Sequence, residues 1–414
     1  MSAAPFQVSF PEAGIDELKS KLSTVTFPGE IPLGEKDKWE RGAPQAEIKR
    51  LVEYWKDGFD FKAAEAGLNT MPQFTAPVMV DGFGTLDIHF VHQKSEVERA
   101  VPLLFVHGWP GSFIEVQKLL PLLNGDGKGP SFHIVAPSLP NFGFSEGVKK
   151  PGFGVEQYVE VCQKLMQTLG YTQYACQGGD WGMYITRALS LLHPESVKSV
   201  HINMIRAEPP SFTSNPLLWL QHALTPYSDA DKAGLARTAW FAKSGRGYFI
   251  EQSTKPQTLG YALADSPVAL LAWIVEKLHD WTDAYPWTDD EILTWISIYW
   301  FSRAGPAASV RIYYEIMHQS TPRMTDRTRL EKHIVGVPLG LAYFPRELTV
   351  IPKTWARTLG KVVWESTSGK GGHFAAWERP DVIAGDLIAM HRKGGPCYGV
   401  VKGGNGYTKN VARL

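Results

Sequence analysis

An aspartate stands where a sharp strand-to-helix turn would present it. The stretch Tyr174-Ala175-Cys176-Gln177-Gly178-Gly179-Asp180-Trp181-Gly182 follows a short apolar run with two glycines, Asp180 and a third glycine. A helix-compatible run over 183–192 comes next. Small residues on both sides of a central acid suit a nucleophile elbow, because the elbow residue is strained and a nearby Cβ would clash. An aspartate after two glycines is also a common helix N-cap. The preceding strand, the third glycine and the helix behind it favour the elbow. A carboxylate is already ionised at neutral pH. As a nucleophile it makes an ester from an electrophilic sp³ carbon.

Such an elbow needs partners. His373 lies in Gly371-Gly372-His373-Phe374, late in the chain, where a nucleophile–acid–histidine order would end. The acid belongs in the loop after the preceding strand, which selects Glu347. Glu331 and Asp326 are alternatives that lie before that strand. Glu347 would orient His373 and stabilise its imidazolium. Because Asp180 needs no activation, the histidine is free to activate water against the ester. His107-Gly108-Trp109-Pro110 follows the apolar run Val101–Val106. Its Trp109 N–H and the Trp181 N–H are candidates for an oxyanion hole, against the plainer reading of a Gly-Pro turn. His107 reads as structural. Opening a strained ring ether would leave an alkoxide, to which a tyrosine can donate while staying neutral at pH 7. Several tyrosines lie between 208 and 320, and spacing alone does not choose among them. Gly143-Phe144-Ser145-Glu146-Gly147 matches a serine elbow letter for letter. A proline-rich loop precedes it and no helix follows, so Ser145 is rejected as a nucleophile.

The elements that must hold these residues follow from periodicity. Residues 1–77 read as an arm: alternation over 6–10 predicts a strand, and Ile48, Leu51, Val52 and Trp55 form a helical stripe after Pro44. Residues 78–207 alternate strands and helices, with Asp81-Gly82 as a hairpin signal. Residues 208–320 show no strand signal and are rich in tryptophan. Ser266-Pro267 and the box Thr288-x-x-Glu291 open helices there, giving an inserted helical cap. The sheet resumes within 321–414, and the glycine-rich tail after Gly394 reads as loose. The expectation is an α/β fold with a mostly parallel, doubly wound sheet.

Composition narrows the class. The chain has 414 residues and a formal net charge of zero, which gives no footprint for nucleic acid. No window reaches the roughly 18 apolar residues of a spanning helix, so no integral membrane segment is expected. The N-terminus lacks the form of a signal peptide. Cys162, Cys176 and Cys397 sit at no metal or disulfide spacing, which suits free thiols and a cytoplasmic protein. The ending Ala412-Arg413-Leu414 has the small-basic-Leu form of a peroxisomal address, against an accidental tripeptide.

Together these motifs resemble the microsomal-type epoxide hydrolases, close to the soluble fungal members. The likeness runs from Phe6 to about His391 and includes Trp39-Glu40-Arg41-Gly42, Leu51-Val52-Glu53-Tyr54-Trp55, the His107–Ser112 loop, Gln177-Gly178-Gly179-Asp180 and Gly371-Gly372-His373-Phe374-Ala375-Ala376. It implies an α/β-hydrolase core under a helical lid, and hydrolysis of epoxides to vicinal diols without a cofactor or metal. Its partners would be a small-molecule epoxide and water. Local matching places the family's lid tyrosines on Tyr248 and Tyr313, with Tyr314 as the neighbouring alternative. Trp109, Trp181, Tyr248 and Tyr313 would then contact substrate. The family's N-terminal membrane anchor has no counterpart, and the tail after Gly394 matches nothing placeable. A haloalkane dehalogenase shares the Asp-Trp-Gly elbow and is the alternative function; a catalytically silent binding protein is the rival of another class. Oligomeric state stays open, a homodimer included.

Overall fold

The apolar run over 101–106 is a strand buried along its whole length, and the sheet is assembled around it. We describe residues 3–125, 129–319 and 323–408 of a computed structural model. Among them nine strands form one sheet: β1 (Ala4–Phe6), β2 (Gln73–Val80), β3 (Gly84–Gln93), β4 (Val101–Val106), β5 (Phe132–Pro137), β6 (Tyr174–Gly178), β7 (Val197–Ile202), β8 (Ile334–Tyr343) and β9 (Gly360–Thr367). Their order is β1-β2-β3-β5-β4-β6-β7-β8-β9. β4 pairs in parallel with β5 on one side and β6 on the other, with Leu103 opposite both Ile134 and Ala175. The parallel run continues through β9, whereas β1, β2 and β3 are antiparallel. The strand order reverses beside β4, and in open α/β sheets the crevice at the carboxyl ends of such strands is where ligands bind. The loops carrying Trp109 and Asp180 leave there.

Between β7 and β8 the described residues contain helices and no strand. Ser266 caps the helix Pro267–Asp280, and Thr288 with Glu291 forms the capping box of Asp289–Trp300. These lid helices are tied to the core loops beneath. The Trp295 indole N–H donates to the Pro110 carbonyl and the Tyr299 hydroxyl to that of Gly111, each at 2.6 Å. The N-terminal arm straps the lid from outside. Lys21 pairs with Asp265 at 2.9 Å, Arg50 pairs with Asp289, Tyr54 bonds Asp290, and the Trp39 ring stacks on His279 at 3.7 Å.

Three local expectations change. Residues 6–10 alternate because Val8 and Phe10 are buried, but β1 ends at Phe6. The Val8 and Phe10 N–H groups donate to the Asn69 and Glu65 side chains instead of a neighbouring strand. The apolar positions over 197–205 predict a strand of that length, but β7 stops at Ile202. The tail is not loose up to residue 408. Cys397 and Val401 are buried, Gly406 bonds Arg99 and Ser131 through backbone groups, and the Lys402 N–H reaches Gln173. Its glycines supply turns for a strand-free clamp. Ala412-Arg413-Leu414 lies outside the described residues.

Several histidines are built into the interior as neutral groups. His89 sits between Ser138 and Gln73, and burial lowers its pKa to about 3. Burial also lowers His107 and His391 to about 4. Each takes up its proton more readily when unfolded, so the unfolded state gains between pH 6.5 and 4. Stability should therefore fall as pH drops through that window, by up to about 1.4 kcal/mol per pH unit per histidine, less the opposing gain from buried carboxyls such as Glu115, whose pKa burial raises. Urea midpoints measured from pH 7.5 to 4.5 check this; a flat profile contradicts it.

Candidate active site

β6 ends at Gly178, and the helix Asp180–Leu192 starts at once. Asp180 has φ +49°, the left-handed region that strains a side-chain-bearing residue. Its neighbours show what the turn requires. A Cβ on Gly178 would lie 2.5 Å from the Gly182 carbonyl oxygen, and one on Gly182 would lie 1.9 Å from that of Val106. A Cβ on Gly108 would meet the Asp180 Cβ at 2.3 Å. The backbone therefore passes close enough for the Trp109 N–H to donate to Asp180 Oδ1 at 2.9 Å. Trp181 is in the first turn of the helix, where backbone N–H groups lack intrahelical acceptors.

Glu347, in the loop after β8, accepts from the Leu348 N–H and meets His373 Nδ1 at 2.5 Å with the same Oε1. His373 Nε2 is 3.4 Å from Asp180 Oδ2. All three side chains are largely buried. Glu331 instead bonds Tyr184 and Arg206, and Asp326 sits at the start of the helix Arg327–Leu330. His107 donates or accepts only locally: its Nε2 accepts from the Leu139 N–H and its Nδ1 faces the Gly108 carbonyl, which makes it a prop for the loop. Ser145 is buried, bonded to the Ser138 carbonyl and the His89 N–H. The lid holds the histidine loop, because the His373 N–H donates to the Trp281 carbonyl at 2.7 Å.

Burial alone would lower the His373 pKa, but the carboxylates of Glu347 and Asp180 outweigh it and hold the pKa well above the ordinary value. An imidazolium between two carboxylates is thus the resting arrangement. Loss of the Asp180 charge would leave burial opposed by Glu347 alone.

Tyr248, on the helix Gly247–Thr254, and Tyr313, on Arg311–Met317, hang from the lid. The Tyr248 ring stacks on Trp109 at 5.2 Å, and Tyr313 meets Trp181 edge-on at 5.0 Å. Burial, with the Asp180 charge adding to it, pushes both hydroxyls up, so they remain protonated donors. The Tyr313 hydroxyl is buried without a protein partner. Tyr314 turns outward and stacks on His318.

Asp180 separates two cavities. On the lid side, a cavity is lined by Tyr248, Tyr313, Trp181, Phe241, Phe249, Met204 and Leu348, together with Tyr184 and three arginines. On the core side, a smaller polar pocket is lined by His373, Glu115, Gln177, Asn203 and Gly108. Glu115 was not singled out in the sequence. Ser112-x-x-Glu115 has the spacing of a capping box, which conceals it. Its Oε1 is buried without a partner, and burial raises its pKa to about 8, so it is largely protonated at neutral pH.

An elbow aspartate, a buried His–Glu pair and a helical lid define an enzyme of the α/β-hydrolase fold. The described family "Epoxide hydrolase N terminus" matches residues 3–116, and "alpha/beta hydrolase fold" matches 101–256. Epoxide hydrolase 1 of Sus scrofa is 33% identical over 93% of this chain and 88% of its own. The structure of Aspergillus niger epoxide hydrolase is 35% identical with a TM-score of 0.80, covering 94% of this chain and 96% of its own. Juvenile hormone epoxide hydrolase of Bombyx mori is 30% identical with a TM-score of 0.82, covering 94% and 93%. The chain belongs to the epoxide hydrolase family.

The electrostatic account is testable without turnover. Asp180→Asn removes one of the two charges that hold the His373 proton. The His373 pKa should fall by about one to three pH units, the range for an opposite charge within 4–6 Å, as read by nitrogen-15 NMR of the imidazole. An unchanged pKa would mean that Asp180 does not couple to His373.

Proposed function

We propose that this protein hydrolyses epoxides to vicinal diols in two steps through an ester on Asp180. The observation that carries the reading is the division of the site by Asp180, with neutral tyrosine donors on one side and the histidine on the other. An epoxide in the lid-side cavity would present a ring carbon to the carboxylate. Asp180 attacks that carbon, the C–O bond of the ring breaks, and Tyr248 and Tyr313 donate to the departing oxygen. The product of this step is a hydroxyalkyl ester.

Esterification removes the Asp180 charge, which lowers the proton affinity of His373; the imidazolium gives up its proton, which replaces the one the tyrosines lost, and the neutral imidazole serves as a base. Water in the core-side pocket, held against His373 and beside the protonated Glu115 and Asn203, then attacks the ester carbonyl. His373 takes the proton, and Glu347 steadies the imidazolium. The tetrahedral oxyanion is held by the Trp109 and Trp181 N–H groups. Collapse releases the diol and restores the carboxylate.

The second step labels the enzyme, which provides the test. In a single turnover in oxygen-18 water, label should enter Asp180 and be absent from the diol; label found directly in the diol would refute the ester. His373→Gln should form the ester and fail to hydrolyse it, leaving an adduct visible by intact-protein mass spectrometry. The tyrosines share one task. Either Tyr→Phe change should slow alkylation moderately, and the double change by about 10²–10⁴-fold, the usual reach of general acid catalysis, in stopped-flow tryptophan fluorescence. Equal rates in the double variant would remove them from the mechanism.

A further inference from the structure

We propose that the preferred substrates are epoxides that also carry a carboxylate, held by the arginines that line the lid-side cavity. The proposal rests on the reading that Asp180 opens an epoxide in this cavity. Apart from Asp180, the cavity is lined by three guanidinium groups, Arg206, Arg246 and Arg327, and by no carboxylate. Glu331 lies behind them and offsets only part of this charge. It bonds Arg206 at 3.0 Å and stands 3.8 Å from Arg327. Arg246 has no ion pair among the described residues and is solvent-exposed.

The remaining valences of these arginines are unspent. Arg327 gives one amino group to the Tyr184 hydroxyl and another to the Met317 sulfur, while its buried Nε has no partner. Arg246 and Arg327 both approach the Phe249 ring, at 5.1 and 5.2 Å. That ring lies 5.4 Å from Tyr313. Phe249 is thus a contact shared by Tyr313 and by the Arg246 and Arg327 guanidiniums, and Arg327 also lies 5.7 Å from the Trp181 ring. An uncharged epoxide offers these cations no counter-charge, and covering them would strip their water at a cost. A carboxylate would find charge-assisted donors there, and Arg presents them in a fork that fits it. It would also place the epoxide ring against Asp180, since one end of the substrate is anchored.

A matched pair of substrates decides the matter. 4-(Oxiran-2-yl)benzoate places one aromatic ring between the epoxide and the carboxylate, and its methyl ester has the same shape without the charge. The free acid should show a kcat/KM about tenfold or more above that of the ester, the factor expected of one charge-assisted hydrogen bond. Arg246→Ala and Arg327→Gln should each reduce this acid-to-ester ratio by about tenfold. Arg246 is exposed and makes no ion pair that the fold needs, so its variant carries the test if the Arg327 change impairs folding. An ester hydrolysed as well as the acid, or a ratio unmoved by either substitution, would overturn the charge assignment while leaving the epoxide chemistry intact. No turnover of either compound would overturn that chemistry, and this proposal with it.

Discussion

The site depends on one strained residue. Asp180 is held with a positive φ, which is costly for a residue with a side chain. It persists because the surroundings leave the backbone no other path. Gly178, Gly182 and Gly108 each remove a Cβ that would strike a neighbour within 2.5 Å, so β4, β6 and the following helix can converge. That convergence brings the Trp109 N–H onto the carboxylate and lets the histidine loop close from the other side. A larger residue at any of the three glycines would displace the backbone around Asp180. The parallel strands supply the rigidity for this: β4 is buried throughout and paired on both edges.

The second dependence is vertical, between lid and core. The lid contributes the two tyrosines, but it also holds the loops beneath it: Trp295 and Tyr299 grip the carbonyls after Trp109, and the Trp281 carbonyl grips His373. A typical hydrogen bond adds about 1 kcal/mol, so no single one of these fixes the lid. Their value is in alignment, because Tyr248, Tyr313 and Asp180 belong to different parts of the chain, and the proposed reaction requires them to agree within fractions of an ångström. The N-terminal arm extends the same logic outward. Its ion pairs with Asp265 and Asp289 are surface pairs and stabilise little individually. The Trp39–His279 stack and the burial of Leu51, Val52 and Trp55 carry more of the load.

Much of this was legible in the sequence, for identifiable reasons. Asp180, Glu347 and His373 stand in short segments whose glycines and flanking strands announce their geometry, and they do meet in space. The two lid tyrosines gave no such local signal. Helical regions rich in aromatics look alike whether a ring is packing or donating, and only likeness to a family separated Tyr248 and Tyr313 from the rest. Glu115 was hidden by a cap-like spacing. The strand expected over 6–10 failed because alternation reports burial and not the identity of the hydrogen-bond partner. The tail misled in the opposite way: glycine content suggested looseness, whereas Gly406 is used to bring the chain against Arg99 and Ser131.

The two cavities flanking Asp180 have a consequence for timing. In an open site with one chamber, a reactant that fills the space shuts out the water needed to release it, and a snug fit slows the cycle. On the two-step mechanism proposed above, the organic molecule and the water would have separate quarters, divided by the Asp180 side chain, which attacks the one and, as the ester, is attacked by the other. Tight packing on the lid side therefore carries no penalty on the core side. Selection can sharpen the shape and charge of one chamber for a new compound while the hydrolytic half of the cycle is inherited unchanged.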